Sequence, residues 1–530
     1  MAKTIGIKVD TNKTEPLSEY IFGHNLEHTR SAVNGGLSAQ MLRNRKFAGK
    51  PSIIGVASEW DGVGDLAFFQ NDGSDAYTRH IGCEKMPRRN ELQSQRAQNV
   101  HGGVCGIRQG SLYIKSKTEY EFRAVVKSCE PVRLRAALTS SDGATTLAEA
   151  FFDVEPGDWE ILRAEFEPEE SDDSGCLYLT FFEKTLVTFG AASLMPADNF
   201  RGMRRDVVDC LKQIAPTVLR WPGGNFAGEY RWKDGLLPSD MRGPLQSFME
   251  DETQPYSHGY DFHEISTDDF IALCREIGAE PFLTINAVWN TPEESAGWVE
   301  YCNGLADTEY GAKRAGNGSA EPYGVRFWSL GNEMGYGHME GPKGPAEYAS
   351  LARLHAEAML DADPQIELFS SGPYPNDDWA RDSAAALLPI VKNVSLHHYA
   401  FPQMDYTEKR LENTYLSVAG AAAGVAQTAE RMRKSLDGLA PGAVISYDEW
   451  NIFYSWFRPS CVAEGIFAAK VLNMLVNRSS RLGIAFCTYF QPVNEGAIEV
   501  DPGSARLTAS GQMFELARIH HGGSLCRLEG

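Results

Sequence analysis

Hydrophobic and polar positions follow two different periods along this 530-residue chain, and the switch between them divides it. Residues 4–10 and 20–23 are short apolar-alternating segments that predict two strands. From about residue 58 to 197, segments such as 120–126, 132–138 and 176–182 alternate or run apolar, with turn clusters of Gly, Asp, Ser and Pro between them. Short strands at that spacing, with no long 3.6-residue period intervening, predict a β-sandwich. After Pro196 helix-period and strand-period stretches alternate. Helices are expected at 203–214, 267–277, 298–304, 345–360, 377–388, 408–436 and 463–477. Each precedes an apolar strand, at 218–225, 281–286, 325–333, 367–372, 394–399, 443–449 and 484–491.

With 20–23 as the first strand, these make eight strand–helix units, the pattern of an α/β (β/α)8 TIM barrel. The sandwich is then an insertion after the first barrel strand. The expected organisation is 1–57 for the N-terminal strand and the start of the barrel, and 58–197 for the inserted sandwich. The rest of the barrel would occupy 198–503, and 504–530 would be a short C-terminal β segment.

A barrel points the C-terminal end of every strand at one mouth, so the topology assembles a candidate site. It gathers Glu27, Arg220, Asn225, Asn286, Asn332, Glu333, His397, Tyr399, Glu449 and Gln491. Glu333 and Glu449 each follow an apolar run and close the fourth and seventh strands. Two carboxyl groups facing each other across a mouth are what glycoside hydrolysis needs. Amides, Tyr and Arg hydrogen-bond hydroxyls, while Trp221, Trp289 and Trp450 can stack on or wall in a sugar ring.

Two motifs point elsewhere. His24-Asn25-Leu26-Glu27-His28 has the H-x-x-E-H spacing of inverted zinc proteases, but that motif works on a helix, where both histidines share a face. Here it follows Gly23 at the end of a strand. Trp221-Pro222-Gly223-Gly224-Asn225 lacks the spacing of a phosphate cradle and reads as a tight turn aiming Asn225 into the mouth. Of the adjacent His397 and His398, at most one can face the pocket.

Composition narrows the partners. A formal net charge of −21 argues against nucleic acid or anionic membrane and suits a neutral substrate better than a polyanion. Ten scattered cysteines without a C-x-x-C pair suggest reduced, mostly buried thiols. No signal-peptide core or membrane-span run is visible, so a cytoplasmic location is expected, with no metal and no cofactor.

In these segments the chain resembles glycoside hydrolase family 51, the α-L-arabinofuranosidases, within the clan of retaining (β/α)8 hydrolases. The resemblance rests on Phe22–His28, Leu219–Phe226 with Tyr230–Gly235, Val299–Asn303, Trp328–Glu333, Ser395–Tyr399 and Ser446–Asn451, in the family's order. It implies Glu333 as general acid/base and Glu449 as nucleophile of a double displacement. It further implies that Glu27, Asn225, Asn332, Tyr399 and Gln491 grip the furanose ring, supported by Arg220 and His397. The inserted sandwich resembles a carbohydrate-binding-module-like domain of one branch of the family, and homo-oligomers are common there.

Departures exist. The residues after Glu333, Met334 to Pro342, differ from the usual acidic residue and tryptophan, on the leaving-group side. The family's C-terminal β-sandwich is expected to be missing or reduced, which leaves strand 4–10 without an obvious partner. The leading expectation is release of terminal α-L-arabinofuranosyl residues from oligo- or polysaccharides. The alternatives are another specificity on the same barrel (β-galactofuranoside, β-xyloside or β-glucan) and a non-catalytic carbohydrate-binding protein.

Overall fold

Eight parallel strands close on themselves: β1 (Tyr20–Asn25), β2 (Val218–Trp221), β3 (Glu280–Thr284), β4 (Phe327–Ser329), β5 (Glu367–Phe369), β6 (Asn393–Ala400), β7 (Val444–Ile452) and β8 (Ile484–Phe490), with β8 pairing back to β1. The computed structural model describes residues 8–83, 85–86, 92–247, 259–335, 341–372, 377–402, 411–453, 455 and 459–529. The barrel class is as the sequence pattern predicts.

Along each strand, residues two apart enter the interior. At the N-terminal end these are apolar: Val218, Phe282, Phe327, Phe369 and Phe486 form one buried plug. Two residues further along they are polar and equally buried: Arg220, Thr284, Ser329 and Thr488. Each plug phenylalanine stabilises the closed barrel by roughly 1.5–3 kcal/mol through removal from water. The plug also confines polar chemistry to the C-terminal end.

The outward positions face helices. Trp221 stacks on Phe270 at 4.8 Å and meets Trp298 edge-on. The helix Thr267–Ile277 starts at a Ser266/Asp269 capping box, and Pro292–Asn303 at a Thr291/Glu294 box with proline in its first turn. The expected helix over 408–436 is two helices where described, Leu411–Gly420 and Ala422–Leu439.

Between β1 and β2, two five-stranded antiparallel sheets pack face to face. One has the order 160–166, 120–128, 186–196, 94–99, 67–72, and the other 61–63, 105–114, 172–181, 132–139, 146–154. Their inner faces meet in a separate core that includes Ile107, Phe122, Leu134, Leu177 and Phe189. Arg45, buried where the sandwich meets the barrel, forks onto Glu264 and reaches Asp240, which Arg123 of the sandwich also holds. Those guanidinium groups hold the Asp240 carboxyl well below its ordinary range although burial opposes ionisation.

The C-terminal segment differs from the expectation of β structure alone. After the hairpin Ile498–Asp501 and Ser504–Leu507 comes the helix Ala509–Ala517, packed on the helix Val462–Leu482. The last strand, Ser524–Glu529, pairs antiparallel with Lys8–Pro16. The N-terminal strand thus has a partner within the chain. Residues 1–7, including the first part of the predicted strand 4–10, lie outside the described residues. All ten cysteines are free and seven are buried. Among the described residues no helix is long and apolar enough to cross a membrane.

Candidate active site

Glu449 lies on β7, where the pairing register slips between Tyr447 and Trp450. The slip places an extra residue on that strand. Tyr447 and Trp450 both point outward, and Asp448 and Glu449 both lie inside, where Asp448 feels Arg220 and His397. Burial pushes the Asp448 carboxyl above its ordinary value.

Three donors converge on the Glu449 carboxylate, which is 3% exposed. Arg220 Nη1 donates to Oε1 at 2.9 Å, Asn25 Nδ2 to the same oxygen at 3.3 Å, and the Tyr399 hydroxyl to Oε2 at 2.6 Å. Together they hold both carboxylate oxygens in place. Burial, then the Glu449 charge, pushes the Tyr399 phenol well above its usual range, so it remains a donor.

Glu333 follows β4 through a tight turn in which Gly331 has φ +97° and Glu333 itself φ +39°. A non-glycine residue in the left-handed region is held there by its surroundings. His397 Nδ1 lies 2.9 Å from Glu333 Oε1 and 3.5 Å from Glu449 Oε2, while Nε2 faces the Ser395 hydroxyl at 3.3 Å. Burial disfavours the imidazolium, but Glu449 and the bond to Glu333 outweigh it and raise the His397 pKa. The ring therefore bridges the two glutamates as a donor.

A carboxylate oxygen of Glu333, one of Glu449 and a His397 nitrogen lie within 4.8 Å of one another. That set could hold a metal ion on geometry alone. A guanidinium already 2.9 Å from Glu449 makes a second cation there unfavourable. Carboxyl groups in retaining glycosidases stand ~5–5.5 Å apart, and an oxygen-to-oxygen approach within 4.8 Å is compatible with that spacing.

Around this pair, Arg220 Nη2 donates to Asn332 Oδ1 at 2.7 Å, and Asn332 Nδ2 to Asn225 Oδ1 at 3.2 Å. Glu27 accepts from the Phe226 backbone at 2.7 Å, and its own N–H donates to Gln491 Oε1 at 2.9 Å. Burial, then the neighbouring Glu449, pushes the Glu27 carboxyl up to about 8. Gly223 lies against the Glu27 side chain, and Gly224 passes between the two carboxyl groups. A Cβ on Gly224 would lie 2.6 Å from Glu449 Oε1 and 3.2 Å from Glu27 Oε2. The double glycine is thus a matter of space beside two carboxylates as well as of the turn.

The structure brings together Glu27, Arg220, Asn225, Asn332, Glu333, His397, Tyr399, Glu449 and Gln491, and leaves other candidates apart. Trp450 is a correction: it is 1% exposed and packs outside the barrel against Tyr489, Phe467 and Phe514, so it can wall in no sugar. Trp221 faces outward likewise. Trp289 is half-buried at the rim, its backbone N–H held by Asn286 Oδ1 at 3.1 Å. His398 faces the helix behind β6, where Thr428 bonds its Nδ1.

The H-x-x-E-H residues diverge. His24 packs on Phe514 outside, Glu27 faces the mouth, and His28 sits between Trp221 and Asp261. They do not share one ion. Residues 336–340, in the divergent loop after Glu333, lie outside the described residues.

Sequence reading missed Asn25, Ser395 and the Arg30–Glu495 pair beside Glu27. Asn25 carried a usable signal, since it closes the first strand.

Comparison with known proteins places relatives beside this geometry. Residues 210–415 match the family model described as the alpha-L-arabinofuranosidase 1 domain. The chain is 30% identical over 317 residues to alpha-L-arabinofuranosidase C of Emericella nidulans, covering 55% of this chain and 60% of that one. It is also 30% identical to the solved GH51 alpha-L-arabinofuranosidase of Thermotoga petrophila, with TM-score 0.56, covering 63% of this chain and 67% of that one. The arabinose-bound MgGH51 α-L-arabinofuranosidase aligns with 99% of this chain and 84% of its own length at TM-score 0.75, a likeness of fold at 16% identity. The chain spans about 60% of the length of the curated fungal relatives it matches.

Proposed function

This chain belongs to glycoside hydrolase family 51, and on that premise we propose that it is a retaining glycosidase that releases terminal α-L-arabinofuranosyl residues from oligo- or polysaccharides. The observation that carries the reading is the pair of glutamates whose oxygens approach within 4.8 Å beside one histidine. In the first step Glu449 attacks the anomeric carbon and forms a glycosyl-enzyme ester. Glu333 meanwhile protonates the departing oxygen. In the second, Glu333 takes a proton from water, the water attacks the anomeric carbon, and Glu449 leaves as a carboxylate.

Arg220, Asn25 and Tyr399 prepare the carboxylate, and His397 holds Glu333 in register with it. Asn332, Asn225, Glu27 and Gln491 would meet the ring hydroxyls. The partner is a carbohydrate.

The test is hydrolysis of a panel of nitrophenyl glycosides, with the anomer first released from the arabinofuranoside followed by proton NMR. Turnover of the α-L-arabinofuranoside with retention is expected, together with its loss in Glu333→Ala and Glu449→Ala. Turnover of another glycoside and none of the arabinofuranoside overturns the sugar assignment. Full activity in either variant overturns the mechanism.

A further inference from the structure

The connection between the sandwich strands 67–72 and 94–99 leaves the insert and lies against the barrel. Residues 79–83 are fastened there one after another. Arg79 exchanges backbone hydrogen bonds with Met241 and Gly243, at 2.8 and 3.0 Å. His80 Nδ1 meets Asp234 Oδ2 at 2.6 Å, and Asp234 Oδ1 accepts from the backbone of Ile81 at 2.6 Å and Gly82 at 3.0 Å. Arg231 donates to the Gly82 and Cys83 carbonyls, and Cys83 N–H donates to Glu294. Asp234 is fully buried and Arg231 nearly so.

The segment does not stop at this anchorage. Cys83, 2% exposed, brings Sγ within 3.9 Å of Asn286 Nδ2. Asn286 lies just past the end of β3 and fixes the backbone of the rim residue Trp289. The next residue, Ala287, faces Gly331 so closely that a Cβ there would lie 3.2 Å from its own. Asn332 and Glu333 follow Gly331 directly. A tether between two domains would not need to touch a strand end in the mouth. Burial pushes the Cys83 thiol up to about 12, which leaves it a neutral contact and no nucleophile.

We propose that residues 79–83 of the insert form a wall of the catalytic cleft on the leaving-group side and set which sugar aglycones it accepts, with Cys83 positioning Asn286 and Trp289. The proposal rests on the reading of Glu333 as general acid/base. The group that protonates the leaving oxygen lies nearest the leaving group, and this wall stands beside the strand that carries it. The insert is then a specificity element of the barrel whether or not it binds sugar on its own account.

The test uses the full chain with Cys83→Ala and His80→Ala, each assayed on an aryl arabinofuranoside and an arabino-oligosaccharide. The readout is the ratio of the two kcat/KM values, from which any loss of folded enzyme cancels. The ratio is expected to move roughly tenfold in at least one variant, the size of effect that pocket contacts give. A ratio unchanged in both overturns the proposal, whatever the absolute rates do. Should His80→Ala not fold, Cys83→Ser replaces it, exchanging the sulfur that meets Asn286 for a smaller hydroxyl. If the wild type cleaves a different glycoside, the sugar assignment fails, and the same ratio is read with aryl and oligosaccharide forms of that glycoside. A wild type that cleaves no glycoside overturns both.

Discussion

Replacing Tyr399 by phenylalanine removes one atom, the hydroxyl that donates to Glu449 Oε2 at 2.6 Å. The ring keeps its edge-on contact with Phe490 at 5.8 Å, so packing is conserved. His397 Nδ1 stays 3.5 Å from that oxygen. A hydrogen bond to a charged group contributes about 1.5–3 kcal/mol. Its effect differs between the two steps. On the proposed roles, Glu449 departs as a carboxylate in deglycosylation, and the missing donor raises the barrier by up to that amount. In glycosylation Glu449 starts charged and loses charge, so ground state and transition state both lose the bond and the loss partly cancels.

At about 1.4 kcal/mol per decade, kcat on a reactive aryl substrate should fall roughly 10- to 100-fold. KM should fall with it as the glycosyl-enzyme accumulates, and kcat/KM should fall less. Steady-state kinetics with mass spectrometry of the quenched enzyme reads all three. Unchanged kcat, or a fall in kcat/KM as large as that in kcat with no trapped ester, would refute the placement of Tyr399 on the leaving carboxylate.

Other substitutions probe the same geometry. Gly224→Ala puts a methyl 2.6 Å from Glu449 Oε1, the movable end of a side chain, so the melting temperature should change little while kcat/KM drops about 100-fold. Glu27 has a folded-state pKa of about 8 against 4.5 for the free carboxyl, so the folded state binds the extra proton and stability falls as pH rises between those values. Glu27→Gln should therefore gain on the wild type across pH 4.5–8, by up to a few kcal/mol, and stay level above it; a gap that shrinks with pH in denaturant titrations would contradict this. Trp450→Ala should cost about 3–5 kcal/mol of stability by leaving a cavity behind β7. Its surviving folded fraction should keep the wild-type KM, and a selective KM increase would place the indole in the cleft after all.

Periodicity was enough to reveal the eight strand–helix units, because which residues face the core recurs along each element and is a local property. The glutamates were legible for the same reason, since a carboxyl at the end of an apolar strand stands out at its own position. Facing directions beyond strand ends were not. Trp450 follows Glu449 directly and reads as a neighbour of the site, yet the register slip on β7 turns it into the outer core.

Gly224 reads as turn chemistry until Glu27 and Glu449, 422 residues apart by their numbers, are seen on either side of it. The pairing of Lys8–Pro16 with Ser524–Glu529 and the reach of Cys83 to Asn286 have no periodic trace at all. Both are set by how closure of the barrel brings distant loops together, and the free energy of such contacts depends on partners that no window of sequence contains. The sequence by itself determined the barrel and the pair of carboxyl groups. The tertiary structure decided what surrounds them: which donors hold Glu449, which aromatic rings stay out, and which part of the insert comes in.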